Sequence, residues 1–272
     1  MCEKDLQKIS VIIPTYNRAH CITKSIESVL NQTYPVYEVI IADDCSKDNT
    51  EDIIRGINDP RVKYYRLPQN KGAGGARNYG VSKAESSLIA FHDSDDVWLP
   101  DKLEKQMTYW DANPDFGLIY TAYLLHAAYN TMRIVPQMDN PSILEGNIFS
   151  SLLVRNTIGA PTVLLSKKVF EEVQGFDETM RSLEDWDFAL KVAQKYSIGF
   201  IAEPLLDVTL TDSGVSSNRS EFYKSRCYLL KKYKQYLIDY GKLDEALISI
   251  FQLAQRDGIL PQIQKMVMLY LS

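Results

Sequence analysis

Ile9-Ser10-Val11-Ile12-Ile13-Pro14-Thr15-Tyr16-Asn17-Arg18 is the stretch from which the fold is read. An almost unbroken apolar run closed by proline predicts a strand buried on both faces. After the polar turn, Ile22, Ile26, Val29 and Leu30 recur at the spacing of one helix face. A second apolar run, 37–42, stops at Asp43-Asp44, and a helical pattern follows around Ile53, Ile54 and Ile57. Residues 62–67 read as a third strand, 73–84 as a helix opened by glycines, and 87–91 as a fourth strand that ends in His92-Asp93-Ser94-Asp95-Asp96.

Strand alternating with helix predicts an α/β fold with a mostly parallel, Rossmann-like central sheet flanked by helices, because each crossover helix returns the chain to the same end. In such sheets ligands lie beyond the carboxyl ends of the strands. Those ends carry the polar clusters 15–18, 43–44 and 93–96, which are expected on one rim. Farther on, 118–126 and 162–166 suggest strands and 183–196 a helix. From residue 221 the pattern is wholly helical, with Leu229, Leu230, Tyr233 and Leu237 on one face among lysines. The expected organisation is a catalytic domain over 1–217 and a C-terminal helical extension over 218–272, with no internal repeat.

Thirty basic against 35 acidic residues give a net charge of −5, which argues against a nucleic-acid partner. The 272 residues, 45% hydrophobic, suffice for a substantial core. No apolar run reaches the length of a membrane span, and the N-terminus does not read as a signal peptide. Four scattered cysteines suggest reduced thiols. The expected location is cytoplasmic, either free or peripheral at the inner face of the membrane.

Aspartates 93, 95 and 96 offer hard oxygen ligands at a strand end, suited to a divalent cation, Mg²⁺ or Mn²⁺, completed by a substrate diphosphate. The same acids would also cap a following helix. The order and spacing of Val11-Ile12-Ile13-Pro14-Thr15-Tyr16-Asn17-Arg18, Ile40-Ile41-Ala42-Asp43-Asp44 and Phe91 to Asp96 resemble the inverting family 2 glycosyltransferases of GT-A fold, over about residues 9–217.

That resemblance implies transfer of a sugar from a nucleotide-sugar donor, by family habit a UDP-sugar, to an acceptor hydroxyl with inversion. Pro14, Thr15 and Tyr16 would line the nucleoside pocket beside Arg18, with Asp43 or Asp44 bonding base or ribose. In Gly72-Ala73-Gly74-Gly75-Ala76-Arg77-Asn78, small residues would allow close approach to the donor, with Arg77 reaching phosphate or sugar and Asn78 beside it. This is no P-loop, since no GK[ST] follows. Asp93-Ser94-Asp95 would form the DxD element, with Asp95 the first-choice metal ligand, then Asp93 and Asp96. In Glu184-Asp185-Trp186-Asp187, Asp185 would be the general base; acids in a first helical turn also simply favour the helix dipole. Many relatives carry a histidine near 208–213, where this chain has Thr211 and none.

The acceptor would be a glycan or a lipid-linked glycan in cell-surface polysaccharide assembly, and the terminal helices would contact a membrane, a second subunit or the core. The rival readings are a catalytically silent module that binds a nucleotide sugar or glycan, and a nucleotidyltransferase, which should carry a basic Gly-rich triphosphate loop.

Overall fold

The computed structural model describes residues 7–127, 131–137, 143–209 and 218–271. Its elements run β1 Ile9–Thr15, α1 Ile22–Leu30, β2 Glu38–Asp43, α2 Thr50–Arg55, β3 Val62–Arg66, α3 Gly72–Lys83, β4 Leu88–Phe91, β5 Val97–Trp98 and α4 Lys102–Ala112. They continue with β6 Phe116–Ala127, β7 Thr131–Val135, α5 Phe149–Leu152, β8 Leu164–Ser166, α6 Lys167–Glu172, α7 Glu184–Ala193 and β9 Ser197–Thr209. Four helices close the chain: α8 Arg219–Lys232, α9 Lys234–Asp239, α10 Leu243–Arg256 and α11 Leu260–Leu271.

The strands form one sheet in the order β3-β2-β1-β4-β8-β6-β9-β5, with β7 paired to β6. The first half is as expected: β3, β2, β1 and β4 are parallel. The expectation of a mostly parallel Rossmann-like sheet needs correction, because the sheet is mixed. Strand β8 runs antiparallel to both β4 and β6, β5 is antiparallel to β9, and β7 folds back on β6. Parallel pairing requires a long crossover between neighbours, whereas β7 returns to β6 directly.

Alternation along the central strands feeds two cores, since successive side chains leave on opposite faces. Ile12 and Ile40 join Phe91, Phe176 and Trp186 on one face, while Val11, Ile13, Val39 and Ile41 join Ile22, Ile26 and Leu103 on the other. Helices α8 to α11 contribute Tyr223, Leu229, Tyr233, Ile250 and Val267 to the first of these cores. Among the described residues no helix is long and apolar enough to cross a membrane. Cys21, Cys45 and Cys227 are free thiols; Cys2 lies outside the described residues.

Candidate active site

Backbone register brings the strand ends together. Thr15 sits opposite Asp43, the Asp44 amide donates to the Thr15 carbonyl at 2.8 Å, and the His92 amide donates to the Ile12 carbonyl at 3.0 Å. Past β1, Arg18 turns back and meets Asp95 at 3.3 Å. The polar clusters at 15–18, 43–44 and 93–96 thus share one rim.

Each carboxylate there has its own employment. Asp43 is fully buried and accepts from the Ser46 amide at 2.6 Å and the Tyr64 hydroxyl at 2.7 Å. Asp44 accepts from the Lys71 and Gly72 amides at 2.6 and 2.8 Å, and burial raises its carboxyl above the usual range against those two N–H groups. Both therefore brace loops of this chain. Asn78 does likewise, donating to the Phe176 carbonyl and accepting from the Phe176 amide at 2.8 Å. Pro14 is buried in β1, while Tyr16 stands 40% exposed at the mouth of the rim.

The glycines of α3 make room for protein. A Cβ on Gly72, whose φ is +77°, would meet the Arg181 guanidinium at 2.9 Å, and one on Gly74 would press on Glu184 and Phe176 at 3.2 Å. Packed this closely, α3 presents Arg77 to two carboxylates from distant parts of the chain. Its guanidinium, 5% exposed, reaches Asp93 at 2.7 Å and Glu184 at 2.8 Å. Burial works against its charge, but Asp93 and Glu184 outweigh burial and hold the proton more firmly than usual.

Arg77 thereby fastens the acidic strand end to the first turn of α7. Leu183, just before that turn, holds φ +59°, a left-handed conformation that is strained for a residue with a branched side chain. Asp185 follows, partly exposed, its Oδ1 accepting from the Trp186 amide at 2.7 Å and facing the Asn156 amide at 3.4 Å. Burial, then the charge of Glu184, pushes its carboxyl up to about 7, with Arg77 pulling the other way. Asp93 raises it further.

The remaining acids repel one another. Burial and then Asp93 raise Asp95, with Arg18 opposing, and Asp96 is driven well above the carboxylate range by burial, Asp93 and Asp95. Ser94, between them, is buried and offers its carbonyl to the Cys21 thiol. A cation seated here would relieve that repulsion. Among the described residues no three of His, Cys, Asp and Glu converge as a preformed metal cage. The set at hand, hard oxygen from one or two aspartates, fits Mg²⁺ or Mn²⁺ that takes its remaining ligands from substrate phosphate and water.

A cleft of about 770 Å³ opens beside Asp95 and Asp96, with Arg18, His20 and Lys24 on one wall and His126, Asp207 and Thr209 on another. His126 and Asp207 pair at 3.0 Å across β6 and β9. Neither carries a local signal in the sequence, because only strand pairing makes them neighbours. Tyr123 was equally invisible: on β6, its hydroxyl is pushed up to about 12 by burial, then by Asp185 and Asp96, so it lies within the field of both acids. His92 is buried against Trp98, 4.7 Å between ring centroids. Thr211 lies outside the described residues.

The chain has relatives among known proteins. An uncharacterized glycosyltransferase of Rickettsia conorii is 35% identical over 205 residues, 75% of this chain and 33% of the relative. The chain spans about a third of the length of the first curated relatives it matches. In Escherichia coli, the UDP-Glc:alpha-D-GlcNAc-diphosphoundecaprenol beta-1,3-glucosyltransferase WfgD is 33% identical over 216 residues, 78% of this chain and 80% of that one. The solved structure of S. aureus TarS 1–349 in complex with UDP-GlcNAc shares the fold at a TM-score of 0.66 and 23% identity, covering 96% of this chain and 72% of that chain. Residues 10–171, which carry all three rim clusters, match the family described as Glycosyl transferase family 2, and to that family the chain belongs.

Proposed function

We propose that the chain transfers a sugar from a nucleotide-sugar donor, a UDP-sugar, to an acceptor hydroxyl with inversion at the anomeric carbon. The observation that carries this reading is the Arg77 bridge, which sets the acids of the β4 end beside the first turn of α7. On this reading two kinds of acid chemistry meet around that bridge. Asp185, with its carboxyl raised to about 7, is poised near neutral pH to accept a proton, where a general base is most effective.

In the proposed reaction the acceptor oxygen attacks the anomeric carbon as Asp185 takes the hydroxyl proton. The carbon–oxygen bond to the diphosphate breaks on the opposite side, and UDP leaves. Asp95, with Asp93 and Asp96 as neighbours, would hold Mg²⁺ or Mn²⁺, which when bound supplies positive charge to the departing diphosphate. Tyr16 and Thr15, next to Pro14, would meet the nucleoside, with Asp43 and Asp44 shaping that pocket by bracing its loops. Arg18 lies where it can share its charge between Asp95 and a phosphate. Gly72, Arg77, Asn78 and Ser94 would act by holding the donor side of the rim in shape.

The named activity of WfgD supports a glycan or lipid-linked acceptor in cell-surface glycan assembly. Residues 1–217 would be the catalytic unit and 218–272 its helical extension, which carries the candidate surface for peripheral contact with the inner face of the membrane or for a homodimer. A panel of nucleotide sugars, each with and without Mn²⁺, tests the reading through thermal stabilisation. Asp185→Asn is expected to keep the stabilisation by the active donor and lose most UDP release. A variant that releases UDP at the normal rate refutes the assignment of the base.

A further inference from the structure

The two residues after Asp185 do not face the acids of the rim, yet both are gripped by chain from beyond residue 217. Trp186, whose indole N–H donates to the Leu152 carbonyl at 2.6 Å, carries the buried Arg226 guanidinium over its ring at 4.3 Å. Asp187 is fully buried. Its Oδ1 accepts from the Tyr233 hydroxyl at 2.9 Å and from Lys232 Nζ at 2.8 Å, and Lys191 stands 3.7 Å from Oδ2. Lys232 also reaches Asp177 at 3.3 Å, where the Tyr228 hydroxyl donates at 2.9 Å.

A buried carboxylate is tolerated only with good partners, and two of the three partners of Asp187 come from the end of α8. Successive residues of a helix point about 100° apart, so fixing 186 and 187 fixes the azimuth of 185. Leu183, left-handed at the helix start, leaves little slack on the other side. A carboxylate that must meet one hydroxyl proton depends on such orientation.

We propose that the C-terminal helices act as a positioning latch for Asp185, with Tyr233, Lys232 and Arg226 holding Asp187 and Trp186 so that the first turn of α7 presents its carboxylate at one angle. None of the three touches the reacting atoms. The proposal rests on Asp185 being the base.

The test uses the full chain, with UDP release from UDP-glucose or UDP-GlcNAc in the presence of Mn²⁺ as the readout. Tyr233→Phe and Lys232→Met should each remain folded, bind UDP as the parent does and keep KM, while kcat falls about tenfold through misorientation. Lys232 is 30% exposed, so its variant serves if Tyr233→Phe does not fold. On an Asp185→Asn background neither change should lower the residual rate further, because the latch works through that carboxylate. Parental kcat in both variants, or a loss that adds in full on the Asp185→Asn background, overturns the latch while leaving the base in place. Asp185→Asn at parental rate overturns the base, and the latch with it.

Discussion

Asp185→Asn should make the protein more stable as well as less active, and the gain should grow with pH. In the folded chain burial and Glu184 push this carboxyl from 3.8 up to about 7. The unfolded carboxyl ionises near 3.8, so between pH 4 and 7 folding takes up a proton, and stability falls as pH rises through that window. Above pH 7 the penalty is complete. At about 1.4 kcal/mol per pKa unit, a shift of this size costs on the order of 4 kcal/mol. Asp185 keeps part of its surface in water, which reduces the expectation to roughly 2 kcal/mol. Asparagine never ionises and can still accept from the Trp186 amide, so it escapes the penalty. For a chain of this size, 1 kcal/mol moves Tm by about 2–4 °C, giving a rise of about 4–8 °C at pH 8.5 and little at pH 4. Scanning calorimetry of parent and variant without donor or metal, from pH 4 to 8.5, measures it. A gap that is absent, or that narrows toward high pH, would refute the account of Asp185 as a strained acid.

Removing the bridging cation should do the reverse. Arg77→Met leaves Asp93 and Glu184 facing each other without it, a loss of about 3 kcal/mol once the partial exposure of Asp93 is allowed for, visible as a lower urea midpoint. With Arg77 no longer opposing the rise at Asp185, the acid limb of the pH–rate profile should also move to higher pH. Asp95→Ala should abolish the Mn²⁺-dependent part of donor stabilisation in the thermal-shift panel and spare the part seen without metal. Gly80→Ala would bring a Cβ within 2.4 Å of the Ile12 side chain, so it should destabilise by about 1–3 kcal/mol in chemical denaturation without changing the donor preference.

Much of the first half was legible because its information is local. The apolar run at Ile9 to Ile13 and the period of Ile22, Ile26 and Val29 yield β1 and α1, and four such units place three acidic or polar strand ends on one rim. Beyond β4 less was legible: β5, two residues long, is too short for a period to show, and β8, three residues long, was read only as part of the longer run 162–166. The salt bridge from Arg77 to Glu184 spans 107 positions, and no pattern in either segment announces the other. Small residues at Gly72 to Ala76 suggested close approach by a donor. In the folded chain they also permit the approach of Arg181, Phe176 and Glu184. Asp43 and Asp44 were visible as strand-end acids, but the Tyr64 hydroxyl comes from β3 and the Lys71 and Gly72 amides from the start of α3, which only the fold brings near.

Helix α3 is pinched on two sides: Gly80 lies against Ile12 and Ala42 of the sheet, and Gly74 against Glu184 and Phe176. It is therefore held at minimum thickness, and backbone width sets how closely β1 and β2 lie on one side of it and the first turn of α7 on the other. A bulkier residue at Gly80 would act as a shim against the sheet, and one at Gly74 as a shim against Glu184, the partner of Arg77. A spacing set in this way resists gradual adjustment, so sequence changes should accumulate in the loops around the cleft and leave those two glycines alone.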